Sequence, residues 1–346
     1  EGHGLLLCSG KVLSMKKVAI IGGGSWGTAL ALVLSQKSQQ VRIWVYEAEL
    51  VDAINQNHRN NLYMPECELP SAIQATHSLA EALAESEMAV MVVPSRHFRK
   101  VSEELKPYLR PETILVSATK GIENQTLCRM SQILEEVLCE QSRCHIAAIS
   151  GPSFAKEVAR GNPTAIVVAS HDKKTAEFVQ SELSSATLRL YTSNDMVGVE
   201  LGGAVKNVIA IAAGVCAGLG YGSNSLAALI TRGLAEMTRL VVACGGKPLT
   251  LAGLSGIGDL VLTCTGDLSR NRSIGIQLGQ GRKLDEIITG MRTVAEGIPT
   301  TQATLSLAKK HHVEMPIIEQ MDAVLNRGKV ARQAIRELME RPLKEE

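Results

Sequence analysis

Apolar positions along this chain follow two rhythms. Through about residue 193, short apolar runs alternate with stretches in which apolar side chains recur every three or four positions. The runs at 18–22, 41–45, 88–93, 114–117, 145–150, 164–169 and 188–191 predict strands, and the stretches at 27–36, 49–57, 79–84, 97–108, 126–138 and 173–183 predict helices. Such alternation predicts an α/β fold whose first domain, 15–193, is built on a mostly parallel, doubly wound sheet. From Asp195 onward the strand rhythm stops. Apolar segments rich in small residues at 199–216, 226–244 and 301–310 predict an all-helical second domain, 194–346. Within it, 204–219 is apolar nearly all round and reads as a buried central helix, because Lys206 and Asn207 argue against a membrane span.

The first strand empties into Gly22-Gly23-Gly24-Ser25-Trp26-Gly27, a Gly-x-Gly-x-x-Gly string placed between a strand and a helix. That context is the fingerprint of a Rossmann-type unit binding NAD or NADP. Gly22 serves the tight turn, Gly24 lets backbone approach a pyrophosphate, and Gly27 lets the helix pack close to its strand. Glu47 follows the second strand at about the twenty-residue distance at which an acid accepts the ribose hydroxyls of NAD. Arg42, nearby, is the alternative: a local bend would offer it to a 2′-phosphate. Val45 rather than Glu47 holds the strand-end position by alternation, so the choice between NAD and NADP stays open, with a lean toward NADH.

Composition narrows the class. The 346 residues exceed what one core usually holds, and a net charge of +1 with 45% hydrophobic residues gives no electrostatic case for nucleic acid or a membrane surface. The cysteines at 8, 67, 128, 139, 144, 216, 244 and 264 contain no Cys-x-x-Cys pair, so neither a disulfide framework nor a zinc site is expected; reduced thiols and a cytoplasmic location are. The histidines have no metal-ligand spacing, and no metal is expected. Met15-Lys16-Lys17 opens directly into the first strand, so residues 1–14 read as an N-terminal extension, too short and weakly flanked for a membrane span or signal peptide.

Reactive groups of such a fold hang from loops at the carboxyl ends of the strands. Lys120, in Ala118-Thr119-Lys120-Gly121, is either one of these or a solvated turn lysine. Ser150-Gly151-Pro152-Ser153-Phe154-Ala155 ends another strand and reads as the start of a helix at Pro152. Lys206 among Leu201, Ala204, Val205, Val208 and Ile209 is costly to bury without a partner. It is a general acid/base for an alcohol–ketone pair, a snorkelling lysine or half of a structural ion pair. Asp259 either caps the helix that follows it or holds a catalytic lysine, and Arg270 with Asn271 offers donors matched to a phosphate dianion or forms a polar turn.

Taken together, Gly22 to Ala29, Ala118 to Gly121, Ser150 to Ala155, Leu201-Gly202-Gly203-Ala204-Val205-Lys206-Asn207-Val208, and Gly258-Asp259-Leu260 with Ser269-Arg270-Asn271 closely resemble NAD(P)-dependent glycerol-3-phosphate dehydrogenase of the bacterial type, from Lys17 to about Lys329. The resemblance implies a homodimer that interconverts sn-glycerol 3-phosphate and dihydroxyacetone phosphate and supplies glycerophospholipid synthesis. It implies Lys206 as the general acid/base. It assigns Lys120, Gly151, Ser153, Lys206, Asp259, Ser269, Arg270 and Asn271 to the substrate. To the cofactor it assigns Gly22, Gly24, Ser25, Trp26, Gly27, Tyr46, Lys120, Ala155, Arg270, Val294 and Glu296. Many bacterial members carry a basic residue or histidine where this chain has Tyr46-Glu47, which leaves the cofactor preference equivocal. Two rivals remain. A reductase of a small hydroxy acid would not need the extra anion site at Arg270-Asn271, and a non-catalytic dinucleotide sensor has no use for Lys206 beside Asp259.

Overall fold

The computed structural model describes residues 17–139, 145–290, 295–343 and 345. Cys8, Cys144, Val294 and the extension 1–14 lie outside these residues. Among the described residues ten strands are present: β1 Lys17–Ile21, β2 Gln40–Trp44, β3 Arg59–Asn60, β4 Met64–Glu68, β5 Ile73–Thr76, β6 Met88–Met91, β7 Ile114–Ser117, β8 His145–Ser150, β9 Thr164–Ala169 and β10 Leu188–Ser193. Eight form one sheet in the order β10-β9-β8-β7-β6-β1-β2-β5. All neighbouring pairs are parallel except β8 with β9. The chain runs outward from β1 to β2 and returns to β6 on the other side of β1, so the order reverses between β1 and β6. A crevice opens at such a reversal, outside the carboxyl ends of the strands.

These strands read as near-continuous apolar runs because helices cover both faces of the sheet. β1 from Val18 to Ile21 and all of β6 are buried. Sequence periodicity missed β5, a four-residue edge strand carrying Gln74, and the antiparallel pair β3–β4. Two residues are too few to leave a periodic signal in β3.

After β10 the chain turns helical with Asp195, whose carboxylate caps the helix Met196–Gly218 by accepting the Gly198 N–H at 2.9 Å. This 23-residue helix is long and apolar enough to cross a membrane, but nearly every residue to Cys216 is buried within the protein. The helix Arg270–Gly279 lies directly against it. Glycines make that possible: a Cβ on Gly214 would sit 2.1 Å from the Arg272 carbonyl oxygen, and one on Gly275 would sit 2.0 Å from that of Ile211. The close crossing carries the start of the second helix toward Lys206.

Several boundaries differ from the sequence expectation. No helix starts at Pro152; Gly151 has φ +141° and the short helix Ala155–Ala159 begins three residues later. The helix expected from 126 begins at Met130, where the Gln132 side-chain oxygen accepts the Arg129 N–H at 3.0 Å. The helix expected from His97 begins at Ser95. The helix expected after Asp259 is present as Asp259–Thr265, whereas Arg270–Gly279, Leu284–Thr289, Pro316–Asn326 and Ala331–Met339 have no counterpart in the sequence expectation. Cys139 is disulfide-bonded, which corrects the expectation of thiols throughout, whereas Cys67, Cys128, Cys216, Cys244 and Cys264 are free.

Candidate active site

A cleft of about 1210 Å³ runs from the ends of β1, β2 and β6 to the helical half of the chain. Its floor at one end is the Gly-rich turn. Gly22, at φ +122°, approaches the loop after β6 so closely that a Cβ would stand 2.9 Å from the Val92 carbonyl, and a Cβ on Gly27 would stand 2.0 Å from Gly22 O. Gly24 faces open space, with nothing within 4 Å of its Cβ position. An absent side chain beside the N-terminus of the helix Ser25–Leu34 leaves backbone donors facing a cradle that an anionic pyrophosphate fits. Ser25, Trp26, Tyr46 and Ala155 line the same end.

Tyr46 is 75% exposed and meets His77 edge-on. Glu47 also lines the cleft, and its Oε1 accepts a hydrogen bond from the Tyr63 hydroxyl at 2.6 Å. Burial and this carboxylate push the Tyr63 phenol up to about 12. Arg42 does not reach the cleft: it donates to the carbonyls of Glu81 and Ala84, which removes it as a phosphate ligand.

At the far end four side chains from three separate segments converge. The Lys206 ammonium donates to Asp259 Oδ1 at 2.5 Å and to Thr263 Oγ1 at 2.6 Å. Lys120 donates to Asp259 Oδ2 at 2.7 Å and to the Gly151 carbonyl at 3.0 Å. One buried carboxylate thus bridges two lysines. Asp259 is the first residue of its helix and Gly258 occupies the cap position, so the capping alternative fails and the lysine-holding one stands. Lys206, 5% exposed, is neither snorkelling nor solvated. Desolvation lowers its pKa to about 8; Asp259 opposes the fall and Lys120 adds to it.

Thr263 was not singled out from sequence. Its hydroxyl donates to the Asp259 backbone carbonyl at 2.6 Å and is thereby oriented to accept from Lys206. The available signal was its spacing, one helical turn after Asp259.

Around the lysines lie the remaining candidates. Ser153 lines the cleft while its hydroxyl donates to Gly151 O at 2.9 Å. Ser269 caps the helix Arg270–Gly279 by accepting the Arg272 N–H at 3.2 Å. Arg270 opens onto the cleft and pairs with no carboxylate among the described residues. Asn271 is fixed on both sides, donating to Asn207 Oδ1 at 3.0 Å and accepting the Gly297 N–H at 3.1 Å. Glu296 lines the cleft and accepts from Ser95 N at 2.9 Å and Ser95 Oγ at 2.5 Å. Its carboxyl is raised above the usual range by burial. Gly151 and Asp259 stand behind the cleft wall rather than on it, and the lysine ammoniums lie between Asp259 and the open space. Among the described residues no three His, Cys, Asp or Glu side chains form a group able to hold a metal ion.

Comparison with known proteins agrees with this construction. The family model for the N-terminal part of NAD-dependent glycerol-3-phosphate dehydrogenase matches residues 17–176, and that for its C-terminal part matches 195–336. A relative from Koribacter versatilis, named glycerol-3-phosphate dehydrogenase (NAD(P)+), is 54% identical over 95% of this chain and 98% of its own length. One of the same name from Citrifermentans bemidjiense is 54% identical over 96% and 99%. The crystal structure of glycerol-3-phosphate dehydrogenase from Coxiella burnetii superposes with a TM-score of 0.90 at 42% identity, covering 94% of this chain and 99% of that one. With a Gly-rich crevice at one end of the cleft and a carboxylate-bridged lysine pair at the other, this chain belongs to the NAD(P)-dependent glycerol-3-phosphate dehydrogenase family.

Proposed function

We propose that this cleft interconverts dihydroxyacetone phosphate and sn-glycerol 3-phosphate, with Lys206 as the proton donor and acceptor. The observation that carries the reading is the Lys120–Asp259–Lys206 cluster at the end of a dinucleotide crevice. NAD or NADP, when bound, supplies the hydride acceptor or donor. Everything else falls to this chain's own side chains.

During reduction the Lys206 ammonium gives a proton to the carbonyl oxygen as negative charge develops there, and in oxidation the neutral amine takes the hydroxyl proton. A pKa near 8 keeps both forms accessible close to neutral pH. Lys120 adds a second positive charge toward the same oxygen in a buried setting where charge interactions are strong. Asp259 neutralises one of the two ammoniums and fixes both. Thr263 occupies one further Lys206 N–H, which aims the remainder at the cleft.

The substrate phosphate is received by Arg270 at the start of its helix, where guanidinium and exposed N–H groups act together. Ser269 and Asn271 shape that pocket, with Gly151 and Ser153 opposite. Gly22, Gly24, Ser25, Trp26, Gly27, Tyr46, Ala155 and Glu296 serve the cofactor, and Lys120 and Arg270 touch both ligands. Glu47 beside the adenosine end favours NADH over NADPH modestly, because a 2′-phosphate would meet its carboxylate.

The same reading divides the chain into a dinucleotide-binding unit, 15–193, and a substrate-binding unit, 194–346. The break between the matched family models and the end of β10 at Ser193 support it. A homodimer in the cytoplasm, supplying glycerol 3-phosphate for glycerophospholipids, completes the proposal. The test is oxidation of NADH and NADPH with dihydroxyacetone phosphate and with phosphate-free ketones. Turnover confined to the phosphorylated ketone supports the reading; equal turnover of a small hydroxy acid's ketone, or none at all, rejects it.

A further inference from the structure

The segment Arg59–Glu68, invisible in the periodicity, is fastened to the Gly-rich turn chiefly through Asn60. Asn60 is fully buried. Its amide nitrogen donates to the Gly23 carbonyl oxygen at 2.7 Å and to Thr28 Oγ1 at 2.9 Å, and its amide oxygen accepts the Tyr63 N–H at 3.1 Å. Ser25 Oγ adds a bond to the Tyr63 carbonyl at 2.9 Å, so the hairpin is held from both sides.

The Gly23 carbonyl and the Gly24 N–H belong to one planar trans peptide and point in opposite directions. With glycine on both sides of that bond, no side chain restrains its rotation, and a flipped plane would present an oxygen to the cleft. We propose that Asn60 is a positioning residue for the dinucleotide: by holding the Gly23 oxygen inward it aims the Gly24 N–H outward, at the pyrophosphate. Two facts fit this role. The Gly24 N–H has no acceptor among the described residues, and the Cβ side of Gly24 is open. The inference rests on the reading of this cleft end as a dinucleotide site and adds to it a residue outside the Gly-x-Gly-x-x-Gly string.

Asn60→Asp keeps the shape and still accepts the Tyr63 N–H but cannot donate to Gly23. Asn60→Ser is too short to reach it and carries no charge. The readouts are the inhibition constants of ADP and of adenosine against NADH, the KM for dihydroxyacetone phosphate at saturating NADH, and the melting temperature. Both variants should weaken ADP about ten-fold or more, the scale of a hydrogen bond to a charged group. Adenosine and the ketone's KM should stay within about two-fold. Equal weakening of ADP and adenosine would make Asn60 a fold-holding residue only. A loss confined to Asn60→Asp would be charge repulsion, and unchanged ADP binding in either folded variant would likewise overturn the inference. If the unsubstituted protein bound neither NADH nor ADP, the dinucleotide reading itself would fall and take the role of Asn60 with it.

Discussion

On the proposed reading, the two ends of the cleft recognise their ligands by opposite means. At the Gly-rich end, recognition depends on missing side chains and on backbone N–H groups at a helix start. At the lysine end it depends on charged side chains that cannot be buried alone: Lys206 and Lys120 require Asp259, and Asp259 requires them. The first kind of site is written in one short stretch of chain. The second exists only once Lys120, Lys206 and Asp259, far apart in sequence, are folded together. Damage should follow the same division, with the lysine end losing chemistry and the Gly-rich end losing cofactor affinity.

The largest expected effect lies at the lysine end. Lys206→Ala should lower kcat about 10²- to 10⁴-fold, the contribution of a positioned acid/base, while the dissociation constant for NADH changes little. Comparable loss of NADH binding would erase the distinction between the two ends.

Asp259→Asn leaves two ammoniums facing each other in a buried site. Breaking such a pair costs about 3–5 kcal/mol, so a lower melting temperature is expected together with reduced kcat. A variant with unchanged melting temperature would mean that the lysines find other partners.

At saturating NADH, where a lost cofactor contact is masked, Arg270→Ala should raise the KM for dihydroxyacetone phosphate by about 1.5–3 kcal/mol of lost binding, roughly ten- to hundred-fold, and barely change that for unphosphorylated dihydroxyacetone. If both ketones suffered alike, the guanidinium would be serving the fold or the cofactor.

The smallest effect belongs to the Gly-rich end. Glu47→Gln should move the ratio of kcat/KM with NADPH to that with NADH upward by a few-fold at fixed ionic strength, since the repulsion removed is screened by salt. The hydrogen bond from Tyr63 makes the test sharper, because it holds the carboxylate in the cleft wall. An unchanged ratio would show that Glu47 does not sense the 2′ position.

Legibility in the sequence followed the same division. The alternation of strand and helix to β10 and the Gly-rich turn could be read directly, because burial on both sheet faces and a tight turn each constrain neighbouring residues. Lys206 stood out as a charge in an apolar helix, but its partner did not. Asp259 at the head of a helix looks the same in sequence whether it caps that helix or bridges two lysines. Thr263 offered only its one-turn spacing from Asp259 and Asn60 offered nothing, since each acts through hydrogen bonds whose partners are set by tertiary packing. Arg42, an alternative that depended on a local bend, is instead taken up by the carbonyls of Glu81 and Ala84, partners that sequence spacing does not reveal.

The most direct test of the account is the pH dependence of kcat/KM for dihydroxyacetone phosphate reduction, run in parallel with glycerol 3-phosphate oxidation. Reduction needs the Lys206 ammonium, whose pKa burial lowers to about 8, so its rate should be flat below that pH and fall above it. Oxidation needs the neutral amine and should rise through the same interval. Lys206→Ala should abolish both limbs near pH 8, leaving a slow rate without them. Limbs that persist at that pH in Lys206→Ala would assign the proton to another group and contradict the account.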